Sequence, residues 1–210
     1  MSVEIPEYRY VQAGEVSSNS YILPVLRDCL RECAEPILDL GCGNGWIARQ
    51  LIDAGLNVCG VDASESGVKI ANSGAPGRFF QLDFQSGQLP PELASMKFNT
   101  VISTEVVEHL YDPRGFVDFA KRILGKDGGV GGKLILTTPY HGYLKNLMLA
   151  LTGHMDVHFT ALWDGGHIKF FSRSTLEALL VERGFLVERF EGAGRLPYLW
   201  KSMVIVARLP

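Results

Sequence analysis

Cysteine is scarce in this 210-residue sequence: there are four, Cys29, Cys33, Cys42 and Cys59. None sits in a C-x-x-C pair with a second Cys or His pair downstream, so no zinc site is expected. The four read as small, reduced core residues. Long apolar runs are missing too, and no stretch reaches the ~18 residues that a membrane-spanning helix needs. The opening residues, MSVEIPEYRY, lack the basic region and apolar run of a secretory leader,. Together these point to a cytoplasmic protein. Positive charge is not in excess: 20 Lys and Arg against 23 Asp and Glu leave a net charge of −3. No global basic field draws a nucleic acid, and none is expected as partner. Repeats and low-complexity linkers are also lacking, so residues 1–210 read as one domain.

What is present is an alternation of short apolar runs and amphipathic stretches. Residues 1–20 are irregular and polar, and 21–34 have apolar positions at helical spacing. The alternation predicts strands at 37–40, 57–61, 78–82, 98–103 and 133–138. It predicts helices at 46–54, 64–73, 113–124 and 174–183. Gly55 and Gly184 stop two of the helices, and Pro113 opens another in its first turn. Ser174 followed by Glu177 has the spacing of a capping box. Strands at 185–191 and 202–209 follow with no helix between them, so they can pair as a hairpin. Strands separated by helices imply right-handed crossovers. The fold expected is therefore α/β: a mostly parallel sheet with one antiparallel strand and helices on both faces. Residues 139–172 interrupt the alternation as an insertion near the ligand-binding edge, with a short apolar helix at 144–151.

The strongest motif is ILDLGCGNG, residues 37–45. A buried strand ends in Asp39; Gly41, Gly43 and Gly45 follow; a helix begins at Trp46. Glycines permit the tight turn and a close approach to the backbone, and the helix start adds free N–H groups with positive potential. A dinucleotide loop reads G-x-G-x-x-G and seats a pyrophosphate. Here the spacing is G-x-G-x-G, and Asp39 would repel an anion. A cationic ligand with a carboxylate end fits better, and S-adenosylmethionine (SAM) is one. Asp62 closes the second strand, where a carboxylate can accept both ribose hydroxyls. Asp83 can accept from an exocyclic amine, and Phe84 can cover an adenine face. Segment 102–110, ISTEVVEHL, would line the pocket beside the methyl group. Cys42, Ala63, Thr104 and Glu105 complete the expected cofactor contacts. All lie at successive carboxyl ends of a parallel sheet, where α/β proteins bind ligands.

These residues resemble the class I SAM-dependent methyltransferases over roughly residues 20–210, through DLGCGNG, VDAS, QLDF, EVVEHL, GGKLILTTP and FFSRSTLEALLVERGF. The resemblance implies a Rossmann-like, seven-stranded sheet. It also implies that Asp39 and the three glycines hold the methionine moiety, Asp62 the ribose, and Asp83 with Phe84 the adenine. Within the family, Glu105, Glu108 and His109 form an E-x-x-E-H segment similar to that of ubiquinone-biosynthesis O-methyltransferases. The expected reaction is methyl transfer to a small-molecule acceptor, at a phenolic or related hydroxyl by preference. N- or carboxyl-methylation, a non-catalytic SAM-binding role and an NAD-dependent oxidoreductase are the alternatives.

A phenol needs a base or a metal to lower its pKa. His109, His141 and His167 are the expected catalytic groups. A divalent metal on Glu105, Glu108 and His109 is possible chemistry but not the favoured reading, and no metal site is assigned. His154, Asp156 and His158 would share one face if their segment were extended, a second and weaker metal pattern. Residues 1–35 read as an N-terminal cap. Residues 139–172 read as a lid whose aromatics Tyr140, Tyr143, Phe159, Trp163, Phe170 and Phe171 could wall an aromatic or lipophilic acceptor. Peripheral contact with a membrane through the helix at 144–151 is compatible with this reading.

Overall fold

The structure is a computed structural model that describes Tyr10, Gly14, residues 18–82, Phe84, residues 87–125 and residues 131–210. Seven strands form one sheet: β1 (Ile37–Leu40), β2 (Val58–Asp62), β3 (Phe79–Gln81), β4 (Thr100–Thr104), β5 (Lys133–Pro139), β6 (Leu186–Ala193) and β7 (Ser202–Arg208). Their order is β3-β2-β1-β4-β5-β7-β6. β7 runs antiparallel to both its neighbours, and every other pairing is parallel. The sheet order reverses between β1 and β4, the point at whose strand ends open α/β sheets bind ligands.

Each central strand is apolar on both faces, so its side chains feed two cores in alternation. Val101 of β4 and Leu134 and Leu136 of β5 join one core, with Phe116, Phe119 and Leu124. Ile102 and Ile135 face the other core, with Ile22, Leu26 and Ile47. The first core is covered by α5 (Pro113–Leu124) and α8 (Arg173–Glu182), the second by α1 (Asn19–Leu30) and α2 (Trp46–Asp53). α3 (Glu65–Gly74) lies beside β3. α5 begins where expected: Asp112 accepts from the Gly115 N–H at 2.9 Å, and Pro113 occupies the first turn,. A four-residue helix, α4 (Pro91–Ala94), lies outside the predicted elements.

Two local expectations are corrected. The capping box of α8 uses Ser172 and Thr175, not Ser174 and Glu177. Ser172 accepts from the Thr175 N–H while the Thr175 hydroxyl accepts from the Ser172 N–H. Thr175 therefore fills the role assigned to a longer side chain, two residues earlier. The segment carrying His154, Asp156 and His158 is not extended but helical, α7 (Met155–Phe159). Alternate residues on a helix diverge, so the three do not share a face. Before it, α6 (Tyr143–Leu151) confirms the short apolar helix and buries none of its residues.

Candidate active site at the strand ends

The glycine turn leaves β1 with left-handed backbone at each glycine: φ is 89° at Gly41, 53° at Gly43 and 71° at Gly45. Any Cβ there would be strained. Space is also short, and protein atoms fill it. A Cβ on Gly41 would lie 2.5 Å from Val106, on Gly43 2.5 Å from the Tyr10 hydroxyl, and on Gly45 2.6 Å from Ala71. The turn is thus packed against β4's exit, the N-terminal segment and α3 at once. Cys42, within it, is buried, and burial pushes its thiol well up.

Asp39 is fully buried at the end of β1, and neither carboxylate oxygen has a hydrogen-bond partner among the described residues. Burial, with the nearby Asp62 charge, raises its pKa to about 8. A carboxylate so placed is costly without a cation or donor. The ammonium of a methionine-type ligand would supply one, so these residues fit SAM. Asp62 is held differently. Its Oδ2 accepts from the Gly43 N–H at 2.7 Å and its Oδ1 from the Ser64 N–H at 2.8 Å. Each oxygen keeps a second lone pair for a ribose hydroxyl. Burial raises its pKa, and the backbone donors oppose this. Ala63 is exposed, and its carbonyl accepts from Gln81. Asp83 lies outside the described residues. Phe84 stands half-buried, edge-on to Phe116 at 5.6 Å.

β4 ends at Thr104, and Glu105 follows with φ 55°, a left-handed backbone in a non-glycine residue. Such strain costs about 1–3 kcal/mol and concentrates at functional sites. The turn points the Glu105 carboxylate along the sheet: Oε1 accepts from the Thr137 hydroxyl at 3.0 Å and Oε2 from the Ser202 hydroxyl at 3.2 Å. Burial raises its pKa to about 7 against these bonds and against the charges of Lys201 and Lys145. Glu105 is thereby joined to β5 and β7, whereas Asp39 and Asp62 stand at β1 and β2.

Glu108 is fully buried in the 3-10 turn Val107–His109, and neither of its carboxylate oxygens has a hydrogen-bond partner among the described residues. Burial and the Glu105 charge push its pKa well above the ordinary range. Its backbone carbonyl accepts from the N–H groups of Ile168 and Lys169, which ties the insertion to β4's exit. His109 Nδ1 lies 3.1 Å and 3.2 Å from the carbonyl oxygens of Gly165 and Gly166. Carbonyls only accept, so Nδ1 carries the proton and Nε2 the lone pair. Burial lowers the His109 pKa. The His167 ring stands 4.8 Å from His109, centroid to centroid. Glu108, His109 and His167 each bring a ligand atom within 4.8 Å of the others. That set can hold a divalent ion; it contains Glu108 and His109 of the anticipated trio, with His167 in place of Glu105.

His141 lies apart from that group. It is buried, stacked on Phe159 at 5.7 Å and in ring contact with His158 at 5.4 Å. Burial first, then nearby Lys145, depresses its pKa to about 4; burial and His109 do the same for His167. The three anticipated histidines are therefore divided: His109 pairs with His167, whereas His141 pairs with a fourth, His158. Sequence reasoning missed Tyr10, which no motif signalled, and Lys145, named only as part of an apolar helix. It also missed Thr137 and Ser202.

Residues 20–189 match a family described as a methyltransferase domain. An enzyme named ubiquinone biosynthesis O-methyltransferase from Ruegeria sp. (strain TM1040) is 30% identical over 169 residues, 79% of this chain and 66% of that protein. One of the same name from Hydrogenovibrio crunogenus is 26% identical over 189 residues, 87% of this chain and 76% of that protein. The chain spans about 58–66% of the length of the first three curated relatives it matches. Among solved structures, magnesium protoporphyrin IX methyltransferase from Synechocystis PCC 6803, with bound S-adenosylhomocysteine (SAH), superposes with a TM-score of 0.66 at 20% identity, covering 94% of this chain and 90% of that one. A SAM-dependent methyltransferase from Mesorhizobium loti gives 0.64 at 20% identity, covering 88% and 96%. Both likenesses bear on the fold, which is Rossmann-like.

Proposed function

The chain belongs to the SAM-dependent methyltransferase family, and from that premise we propose that it methylates a small molecule at a phenolic hydroxyl. SAM, when bound, supplies an electrophilic methyl group. Asp39 would hold its ammonium, and the N–H groups at the start of α2 its carboxylate. Asp62 would hold the ribose, and Asp83, Phe84, Cys42, Ala63 and Thr104 are assigned to the remaining contacts. The names of the matched relatives support oxygen as the atom methylated. The proposal covers the chain's organisation as well: a single domain in which residues 139–172 form a lid over the acceptor; most of the first 17 residues of the anticipated N-terminal cap lie outside the described residues.

The observation that carries the acceptor reading is the state of His109. Its Nδ1–H is spent on two carbonyls, which leaves the lone pair on Nε2, and burial lowers its pKa, which favours the neutral ring at pH 7. A neutral imidazole with a fixed tautomer is suited to take a phenol's proton. Glu105, raised to about 7, stands by as a second acceptor of that proton. His141 and His167, near 4, are too weakly basic for the role and act by shaping and donating. The test is methyl transfer from labelled SAM to a panel of phenols, amines and acids. Phenols should be the best acceptors, and His109→Gln should lower kcat by about 10²–10⁴ while leaving SAH affinity within twofold. Labelled amines outrunning phenols would sink the reading.

A second reading is favoured by one observation: among the described residues neither buried oxygen of Glu108 has a hydrogen-bond partner, and two imidazoles stand beside it. A divalent ion on Glu108, His109 and His167 would satisfy them and lower a phenol's pKa directly. Activity abolished by chelation and restored by Mg²⁺ or Zn²⁺ selects this reading over the base.

A further inference from the structure

The insertion carries a cavity that cofactor binding leaves unused. It lies between α6 and α7, has a volume of about 400 Å³, and is lined by Lys145, His154 and His158 beside Met148, Val157 and Leu199. Its polar lining is a cation, two imidazoles and the Thr152 hydroxyl, with no carboxylate among them; the rest is apolar. His154 and His158 are one helical turn apart, so they present one face. Among the described residues the buried Nε2 of His158 has no hydrogen-bond partner, and neither does Nδ1 of the adjacent His141.

Lys145 sits at the junction of this cavity and the end of β4. Among the described residues its ammonium donates one long bond, 3.4 Å to the Lys201 carbonyl oxygen. Burial lowers its pKa to about 8, and the Glu105 charge works the other way. A half-buried ammonium with one weak acceptor is under-satisfied, because it has three donors. An anion with an apolar body would satisfy the cation and the imidazole N–H and cover Met148, Val157 and Leu199.

We propose that the insertion forms an anion subsite in which Lys145, with His154 and His158, holds the carboxylate of an aromatic hydroxy acid whose hydroxyl lies at the end of β4. The subsite extends the phenol reading by naming an acidic group on the acceptor. Lys145 acts as a specificity residue, and its charge replaces water around the carboxylate rather than entering the chemistry.

The test uses the full chain saturated with SAH. Calorimetry compares hydroxybenzoates with the matching uncharged hydroxybenzamides, and inorganic phosphate serves as a free-anion control. Wild type should bind the acids on the order of tenfold tighter than the amides, the scale of one charge-assisted contact. Lys145→Gln should erase that preference and leave amide affinity unchanged; Lys145→Arg should keep it. Retained SAH binding reports that each variant is folded. Equal binding of acids and amides by wild type overturns the subsite, as does binding of neither. Phosphate bound through Lys145 without any preference among phenols overturns the assignment to the acceptor. Turnover separates the two readings. Acids and amides methylated alike leave phenol methylation standing without the subsite, whereas acid-selective binding with no turnover leaves the subsite standing without phenol methylation.

Discussion

At Asp39 a single side chain links burial to ligand choice. A carboxyl group whose folded pKa is about 8, against 3.8 for the ordinary group, is protonated at neutral pH in the ligand-free protein. Its raised value means that its contribution to stability is present below pH 4 and is lost as pH rises through 8. Binding an ammonium reverses the preference, because the ionised form then gains a partner. SAH binding at pH 7 should therefore release a proton, and affinity should rise from pH 5.5 to 8. Calorimetry in buffers of different ionisation enthalpy measures the release directly. In Asp39→Asn the proton release should vanish and SAH affinity should fall by about tenfold or more, for loss of one charged hydrogen bond. Thermal melts of the ligand-free variant should show a flatter decline between pH 4 and 8 than wild type. Gly45→Ala tests the turn itself: φ 71° and a contact of 2.6 Å to Ala71 should together destabilise by about 2 kcal/mol or more.

At the scale of elements, the caps and the insertion obey different rules. α8 buries Leu176, Leu179 and Leu180, and its first turn rests on the reciprocal bonds of Ser172 and Thr175. Ser172→Ala should cost about 1 kcal/mol by urea denaturation, whereas Ser174→Ala should be close to neutral. α6 is the opposite case. Leu151 is 72% exposed, so Leu151→Ser should shift stability by less than about 0.5 kcal/mol and can be used to probe acceptor or membrane contact without unfolding the protein. These two elements also mark where sequence reading succeeded and where it failed. α5 and β1 were read at their observed bounds, since Pro113 and the apolar run after Pro36 leave little choice. α7 was not, because His154, Asp156 and His158 alternate polar types in a segment too short for helical periodicity to register. The capping box slipped because Ser172, Ser174 and Thr175 all have capping chemistry, and only the path of the chain decides among them.

For the whole molecule, the site divides in the same way. Asp39, Gly41, Gly43, Gly45 and Asp62 were legible because one strand–turn–helix and the next strand place them locally. The meeting of Glu108 and His109 with His167 was not legible as a unit, since it depends on how the insertion folds back over β4. That return is fixed by backbone bonds from Ile168 and Lys169 to Glu108. The orientation of Glu105 was hidden for another reason: its left-handed φ comes from tertiary context, and residue type gives no sign of it. A methyltransferase of this size should also gain stability from its ligand by mass action. SAH at 100 times its dissociation constant should add about 2.7 kcal/mol, readable as a rise in Tm, and Asp39→Asn at the same SAH concentration should lose most of that rise.

The place of β7 in the sheet has a consequence for synthesis. Ser202–Arg208 is wedged between β5 and β6, and among the described residues it is β6's only neighbour in the sheet. While the ribosome still holds that stretch, β5 has a bare edge and β6 has nothing to join. The nascent polypeptide must wait for β7 to emerge before the half of the sheet carrying Thr137 and Ser202 can close around Glu105. Premature termination upstream of Ser202 should thus yield a sticky, protease-sensitive fragment, even though every glycine of the turn after β1 has already been made.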